Sequence, residues 1–299
     1  MNTKNYEGFK AEFVQKVQEY FRESNYILEE TVVEKFDQKL DAIIIRKPGS
    51  RIAPVFYVMD FFKAFEEHGD SIVKSIGHIE HFLENEEIPD TSFADDLTEY
   101  QKCQDNLIIQ LINFEKNEEQ LKKIPHRRLG DMAIIVNVLL DSSICQGTVL
   151  VDYDLVRIWN TDPEEVLAKA EKNMEKYPLR IIDLMPQNPL QALMMGGGPK
   201  IYVLTLESNF PGASAILREK KLQEFMEEQE KDFFILPASR HECLLVEDLG
   251  EPEFSSILTA MLASINEDQY NPSDVISNDL FYLERGKKLK LVEKSEFAL

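Results

Sequence analysis

The sequence predicts an α+β fold in which mixed, largely antiparallel sheets pack against amphipathic helices. Apolar residues recur at three- and four-residue spacing in some segments, and β-branched and aromatic residues form short runs in others. The two kinds of segment mix without a regular βαβ rhythm, which favours α+β over a doubly wound sheet. With 299 residues, the chain is at the upper limit for one hydrophobic core. We therefore expect residues 1–299 to form a single compact unit, with two lobes divided near Pro125 as the alternative.

The best-defined helix is predicted at residues 163–177. Asp162 is a suitable N-cap, Pro163 occupies the first turn, where proline is tolerated, and Pro178 ends the segment. Apolar residues at helical spacing form a stripe along one side of this segment. The same periodicity predicts further helices at residues 6–22, 71–83, 118–123, 219–231 and about 257–265.

Strands are predicted where short runs of β-branched and aromatic residues are bounded by turn residues. Residues 131–140 are almost continuously apolar, as expected of a strand that is covered on both faces. Residues 184–199, which end in Gly196-Gly197-Gly198-Pro199, are predicted to form a loop. The remaining predicted strands are residues 26–33, 40–45, 53–59, 106–114, 201–206, 213–217, 233–236 and 243–246, with a terminal hairpin over 280–284 and 288–292.

The net charge is −21, from 54 acidic and 33 basic side chains. Such a charge repels phosphate groups, so direct nucleic-acid binding and attachment to an anionic membrane are disfavoured, whereas a basic protein partner is favoured. Part of the acidity is local, because no Lys or Arg occurs between Ser75 and Gln101. A solvated helix end and loop would explain this stretch, and so would an acidic face that engages a basic partner. The residues of that candidate face are Glu84, Glu86, Glu87, Asp90, Asp95 and Asp96.

The cysteines and the N-terminus indicate a cytoplasmic protein. Cys103, Cys145 and Cys243 are widely spaced, odd in number and free of any CxxC pattern, which favours a reducing compartment. The first residues lack the apolar core of a signal peptide, and no apolar run is long enough to span a bilayer. The sequence makes no prediction of oligomeric state.

We expect no cofactor, because the glycine run matches neither a dinucleotide fingerprint nor a phosphate-binding loop. One weak candidate for a metal site is the pair His78 and His81, whose spacing of three residues brings the two imidazoles near one another on a helix. The helical periodicity places both on the exposed side, so two solvated histidines are the alternative.

Two segments place a histidine and a carboxylate just before the start of a predicted buried strand, where catalytic groups often lie. One contains His126 and Asp131, and the other contains His241 and Glu242. In each, the histidine would act as a base that the carboxylate orients. The alternative is that these side chains cap strand ends and satisfy loop carbonyls. The second histidine of a zinc-peptidase motif and the glycines of a serine-nucleophile motif are both missing.

Five short motifs are spread along the chain. They are Leu111-Ile112-Asn113 with Asn117 and Leu121, Pro125-His126 with Asp131-Met132-Ala133, Tyr202-Val203-Leu204-Thr205 with Gly212-Ala213, Leu236-Pro237-Ala238-Ser239-Arg240-His241-Glu242, and Ser277-Asn278-Asp279 before Phe281-Tyr282. Together they resemble the motifs of an uncharacterised domain-of-unknown-function family of Gram-positive, gut-type bacteria, whose pattern has Ser where this chain has Ala238. The resemblance covers most of the chain from about residue 40 onward and implies a bacterial, intracellular protein, but it lends no activity, cofactor or catalytic residue.

Two functional hypotheses remain. The first is a non-enzymatic intracellular accessory protein that binds a protein partner through its acidic surface. The alternative is an enzyme of the hydrolase type, in which the two histidines and the two carboxylates converge on one cleft. The hypotheses differ in the distance they require between His126 and His241.

Overall fold

The computed structural model describes residues 5–35, 38–49, 53–85, 96–141, 146–184, 198–208, 210, 212–268 and 274–292. It confirms an α+β fold with largely antiparallel sheets. The chain divides into two compact units. Unit 1 consists of residues 1–102 and 140–147, and unit 2 consists of residues 103–139 and 148–299. Pro125, near which two lobes were predicted to divide, lies inside unit 2. In the described part of the chain, every helix is too short or too polar to cross a membrane.

Unit 1 is built on a three-stranded antiparallel sheet in the order β1-β2-β3. Helix α1 begins after Asn5, whose side chain accepts a hydrogen bond from the Gly8 N–H and so caps the helix. Its apolar stripe supplies Phe9 and Phe13, which pack with Phe62 in an aromatic core. The elements are α1 (Tyr6–Phe21), β1 (Ile27–Lys35), β2 (Gln38–Arg46), β3 (Val55–Tyr57), α2 (Val58–His68) and α3 (Ile72–Asn85).

The prediction of one strand over residues 53–59 is wrong at its end. Strand β3 stops at Tyr57, and α2 begins at Val58. Val58 and Phe62 are buried on one face of this helix, with the partly buried Phe65 packed against the same core. The spacing of four and then three residues is helical, but the adjacent β-branched and aromatic run concealed it.

Unit 2 contains most of a four-stranded sheet, in which β6 pairs antiparallel with β4 and β5 and also pairs with β7. The almost continuously apolar run predicted from residue 131 is the buried part of β6. The predicted cap of the following helix is confirmed, because the Asp162 side chain accepts a hydrogen bond from the Glu164 N–H at 2.8 Å. Helix α4 (Tyr100–Cys103) lies at the end of the first stretch of unit 1, and the elements that follow it along the chain are β4 (Leu107–Asn113), α5 (Glu118–Leu121), β5 (His126–Leu129), β6 (Met132–Asp141), β7 (Gln146–Leu150), α6 (Tyr153–Trp159) and α7 (Pro163–Asn173).

The second sheet of unit 2 has six antiparallel strands in the order β13-β12-β10-β11-β9-β8. Phe234 and Leu236 of this sheet are buried against Leu258 and Leu262 of the last long helix. The predicted terminal hairpin is present as two short paired strands. The elements are β8 (Leu179–Asp183), β9 (Ile201–Leu206), α8 (Glu219–Gln229), β10 (Phe233–Leu236), β11 (Cys243–Glu247), α9 (Phe254–Glu267), β12 (Phe281–Leu283) and β13 (Lys290–Leu291).

The strand predicted at residues 213–217 is instead a 3₁₀-helix, Gly212–Leu217. A short and largely apolar run does not distinguish a buried strand from a buried helical turn. Gly212 allows the backbone to approach its neighbours closely. A Cβ atom there would lie 2.9 Å from both the His241 carbonyl oxygen and the Leu206 nitrogen. Most of the loop predicted at 184–199 lies outside the described residues.

Candidate functional site

The first candidate segment places His126 at the start of β5. Its Nδ1 atom lies 2.8 Å from the carbonyl oxygen of Ile124, and its half-buried ring packs against Phe114 with centroids 5.8 Å apart. A carbonyl oxygen only accepts hydrogen bonds, so Nδ1 carries the proton and donates it.

The Asp131 carboxylate binds a distant part of the chain. Its Oδ1 atom accepts a hydrogen bond from the Ser277 hydroxyl at 2.5 Å, and its Oδ2 atom accepts one from the Asn278 N–H at 2.7 Å. In return, the Asp279 carboxylate accepts a hydrogen bond from the Asp131 N–H at 2.8 Å. The two aspartates therefore fasten the β5–β6 turn to the segment that leads into β12.

Two buried asparagines extend this network. The Asn113 amide donates to the carbonyl oxygen of Ile276 at 3.3 Å, and the Asn117 amide donates to the carbonyl oxygen of Asn113 at 2.8 Å. Buried polar groups are stable only when they are hydrogen-bonded, so this network specifies how the segments join. We call the set Asn113, Asn117, Asp131, Ser277 and Asp279 the polar cluster. It brings together residues from three of the sequence motifs.

The second candidate segment is the loop between β10 and β11. The His241 side chain is 57% exposed, and its Nε2 atom lies 3.7 Å from the Asp274 carboxylate. The Nε atom of Arg240 lies 3.3 Å from the same oxygen. Glu242 instead contributes its backbone oxygen, which accepts a hydrogen bond from the Ser239 N–H at 3.1 Å. The carboxylate beside His241 is thus Asp274, which the sequence does not indicate because it lies more than thirty residues farther along the chain.

The backbone of this loop is tied to neighbouring elements. The Thr205 hydroxyl donates to the carbonyl oxygen of His241 at 2.9 Å, and the Ala213 N–H donates to that of Arg240 at 3.2 Å. Cys243 follows at the start of β11, where complete burial raises the pKa of its thiol far above the ordinary value. A thiol that stays protonated is a poor nucleophile, so Cys243 has the properties of a core residue.

His78 and His81 both lie on the exposed side of α3. The Nδ1 atom of His81 is 2.9 Å from the side-chain amide nitrogen of Asn85, which donates to it. Among the residues that the structure describes, no group of three His, Cys, Asp or Glu side chains is arranged to hold a metal ion. The metal site therefore stays a prediction that rests on two histidines.

Two members of the predicted acidic face fall within the described residues. Glu84 is exposed at the end of α3, and Asp96 forms an ion pair of 2.6 Å with Lys102. Lys102 is the first basic residue after the Lys- and Arg-free stretch, and it neutralises part of the local charge. The other four members, Glu86, Glu87, Asp90 and Asp95, lie outside the described residues.

A comparison with models of protein families tests whether the chain belongs to the kind of family that its motifs indicated. The model of DUF5688, a family of unknown function, matches residues 6–285. The chain belongs to this family. The match extends through nearly all of both units, so it reaches farther toward the N-terminus than the motifs predicted. Neither a curated protein nor a solved structure shows significant similarity to the chain. Membership in DUF5688 therefore confirms the resemblance and assigns no activity, and the bacterial origin stays a prediction.

Proposed function

We propose that this chain is a non-enzymatic intracellular binding protein, and that unit 1 presents an acidic surface to a basic region of a partner protein. The observation that carries this proposal is a strip on α3. Val73, Gly77, Glu80 and Glu84 follow one another at spacings of four, three and four residues, so they share one side of the helix. Val73 is 71% exposed, although it is a large apolar residue.

Tyr20 of α1 adds an aromatic ring to this strip. Its hydroxyl donates to the Glu80 carboxylate at 2.6 Å, and its side chain is half exposed. A half-exposed tyrosine and an exposed apolar residue on a surface that also carries charged groups are typical of a protein-binding surface. We call Tyr20, Val73, Glu80 and Glu84 the acidic strip.

The charge of the acidic strip is available to a partner. Within the described part of the chain, neither Glu80 nor Glu84 forms an ion pair with a Lys, Arg or His side chain. The net charge of −21 adds a long-range attraction for cations. Binding through such groups weakens with rising salt, because dissolved ions screen exposed charges.

The positions of the candidate catalytic residues also support a binding role. The Asp131 carboxylate holds residues 277–279, and the closest described carboxylate to His241 is that of Asp274. These contacts join separate segments of the chain, so they give Asp131 and Asp274 a role in stabilising the fold. The hydrolase hypothesis stays a prediction, which requires His126 and His241 to meet at one substrate.

Capture from bacterial lysate at two salt concentrations tests the proposal. We expect the immobilised chain to retain basic proteins at about 50 mM NaCl and to release them near 300 mM, where screening is stronger. The double variant Glu80→Lys and Glu84→Lys should lose this capture. The matched control is Glu227→Lys with Glu228→Lys, which makes the same change in net charge on two exposed residues of α8 in unit 2.

The control separates a defined surface from bulk charge. If both double variants lose capture equally, the attraction comes from net charge alone, and the proposed role of the acidic strip is wrong. Capture that is unchanged at 300 mM salt would also contradict it.

A further inference from the structure

Unit 2 contains a pocket of about 520 Å³ beside the start of α9, next to strands β12 and β13. Its lining includes the partly buried Tyr282 and Val292 and the exposed Leu291, so all three present apolar surface to a molecule inside it. Sites for small organic molecules have volumes in this range, and they combine apolar contact area with a few polar groups that give specificity.

The rim of this pocket carries charges of both signs. The carboxylates of Asp248 and Glu251 line it, and Lys290 is the one cation among its lining residues. Glu251 and Lys290 are exposed, and Asp248 is half-buried, so a ligand can reach each of them. A ligand with one charge would be attracted by one side of this rim and repelled by the other.

The Asp248 carboxylate is held in place by two hydrogen bonds. Its Oδ2 atom accepts one from the Tyr282 hydroxyl at 2.8 Å, and its Oδ1 atom accepts one from the Gly250 N–H at 2.9 Å. Each carboxylate oxygen has a second acceptor position, so both can still receive a donor from a ligand. A group that is already positioned loses little conformational freedom when a ligand binds to it.

Lys290 lies on a different side of the same aromatic ring. Its Nζ atom is 4.8 Å from the centre of the Tyr282 ring, whereas Asp248 binds the hydroxyl at the end of that ring. Within the described part of the chain, Lys290 and Asp248 form no ion pair with each other. Lys290 has a long contact of 3.8 Å with Glu284, which Lys287 binds more closely at 2.7 Å. The Lys290 ammonium is therefore available to a ligand.

Two opposite charges that are separated on one aromatic ring match a ligand that carries both charges. We propose that this pocket binds a free α-amino acid with an apolar side chain. The ligand ammonium donates to Asp248, its carboxylate accepts from Lys290, and its side chain contacts Val292 and Leu291. This site lies within unit 2, and it stands independently of the function proposed for the acidic strip of unit 1.

Isothermal titration calorimetry with amino acids and their single-charge analogues tests the proposal. The probes are L-leucine, L-methionine and L-phenylalanine, with glycine as the amino acid that lacks an apolar side chain. The best of the three is then compared with its own amine, which lacks the carboxylate, and its own acid, which lacks the amino group. We expect the amine and the acid each to bind about ten-fold more weakly than the amino acid, because each loses one charge pair and keeps one repulsion. Glycine should also bind more weakly.

Two variants assign the two charged ends of the ligand. Lys290→Gln should abolish the preference for the amino acid over the amine, and Asp248→Asn should abolish the preference over the acid. The matched control for the lysine is Lys288→Gln, which makes the same change in net charge at an exposed residue that does not line the pocket. This control should leave all affinities unchanged. Lys290→Gln leaves the hydrogen bonds of Asp248 intact, so it tests the proposal even if Asp248→Asn weakens the fold.

Three outcomes would overturn the proposal: none of the three apolar amino acids binds, the matching amine or acid binds as tightly as the amino acid, or the preference over the amine survives Lys290→Gln. Equal weakening by Lys290→Gln and Lys288→Gln would also overturn it, since it would reduce the effect to net charge.

Discussion

Replacing Asp131 with Ala distinguishes a structural from a catalytic task for this residue. In the structure, its carboxylate accepts hydrogen bonds from the Ser277 hydroxyl and from the Asn278 N–H. The variant removes both acceptors at once, and Ser277 is fully buried. We expect a large loss of stability in unit 2.

The magnitude follows from these two bonds. A hydrogen bond to a charged group contributes about 1.5–3 kcal/mol to stability. Asp131 is half-buried, so solvent offsets part of this, and we expect the free energy of unfolding to fall by about 3 kcal/mol. With a denaturant dependence of about 2 kcal/mol per molar urea, the unfolding midpoint should fall by roughly 1.5 M.

Urea unfolding followed by tryptophan fluorescence measures this change. Trp159 is the only tryptophan, and it is buried in unit 2, so its emission reports on this unit. The control is Glu242→Ala. The Glu242 side chain forms no hydrogen bond with a described residue, so its removal should change the unfolding free energy by less than about 0.5 kcal/mol.

The result that would refute this reasoning is a variant Asp131→Ala with a midpoint within about 0.25 M of the wild-type value, which corresponds to about 0.5 kcal/mol. An equal loss in the Glu242 variant would show that the assay does not resolve the polar cluster.

Two further predictions concern backbone conformation and pH. Gly130→Ala should destabilise unit 2 by about 2–4 kcal/mol, because φ at this position is +61° and the new Cβ would lie 2.8 Å from the Asp279 carboxylate. The control is Gly286→Ala, where φ is +72° but the space around the new Cβ is open. This variant should cost only about 1 kcal/mol in the same urea assay. In unit 1, the hydrogen bond from Lys10 lowers the pKa of Asp41. Its contribution to stability is therefore present above the unfolded pKa of about 3.9 and is lost as pH falls through the lower folded value. Asp41→Asn should cost about 1 kcal/mol at pH 7, and its difference from wild type in thermal unfolding should vanish near pH 2; a difference that persists there would contradict this assignment.

Local patterns in the sequence were sufficient to predict most elements of the fold. The capped helix after Asp162, the buried strand from residue 131 and the terminal hairpin each depend on residues close together in the chain, so spacing and turn chemistry identify them. Two wrong assignments fell on short, largely apolar runs, at residues 53–59 and 213–217, where the same residues fit a strand or a helical turn. Neighbours in space decided between the two. No strand or helix was predicted for β5, β7, β8 and α6.

The candidate sites could not be assembled in the same way. The sequence placed Asp131 near His126 because they are five residues apart, whereas the structure binds its carboxylate to Ser277, 146 residues away. It paired His241 with Glu242, whereas Asp274 lies beside the imidazole. A hydrogen bond depends on distances of about 3 Å, which sequence separation does not encode.

The sequence by itself determined the fold class and the acidity, because composition and short-range periodicity carry them, and its short motifs indicated the family by their resemblance. Only the tertiary structure decided the hydrogen-bond and ion-pair partners of the candidate residues, such as Ser277 for Asp131 and Asp274 for His241. Those features arise where distant segments pack together, and the packing of a whole chain is a cooperative property that no single segment contains.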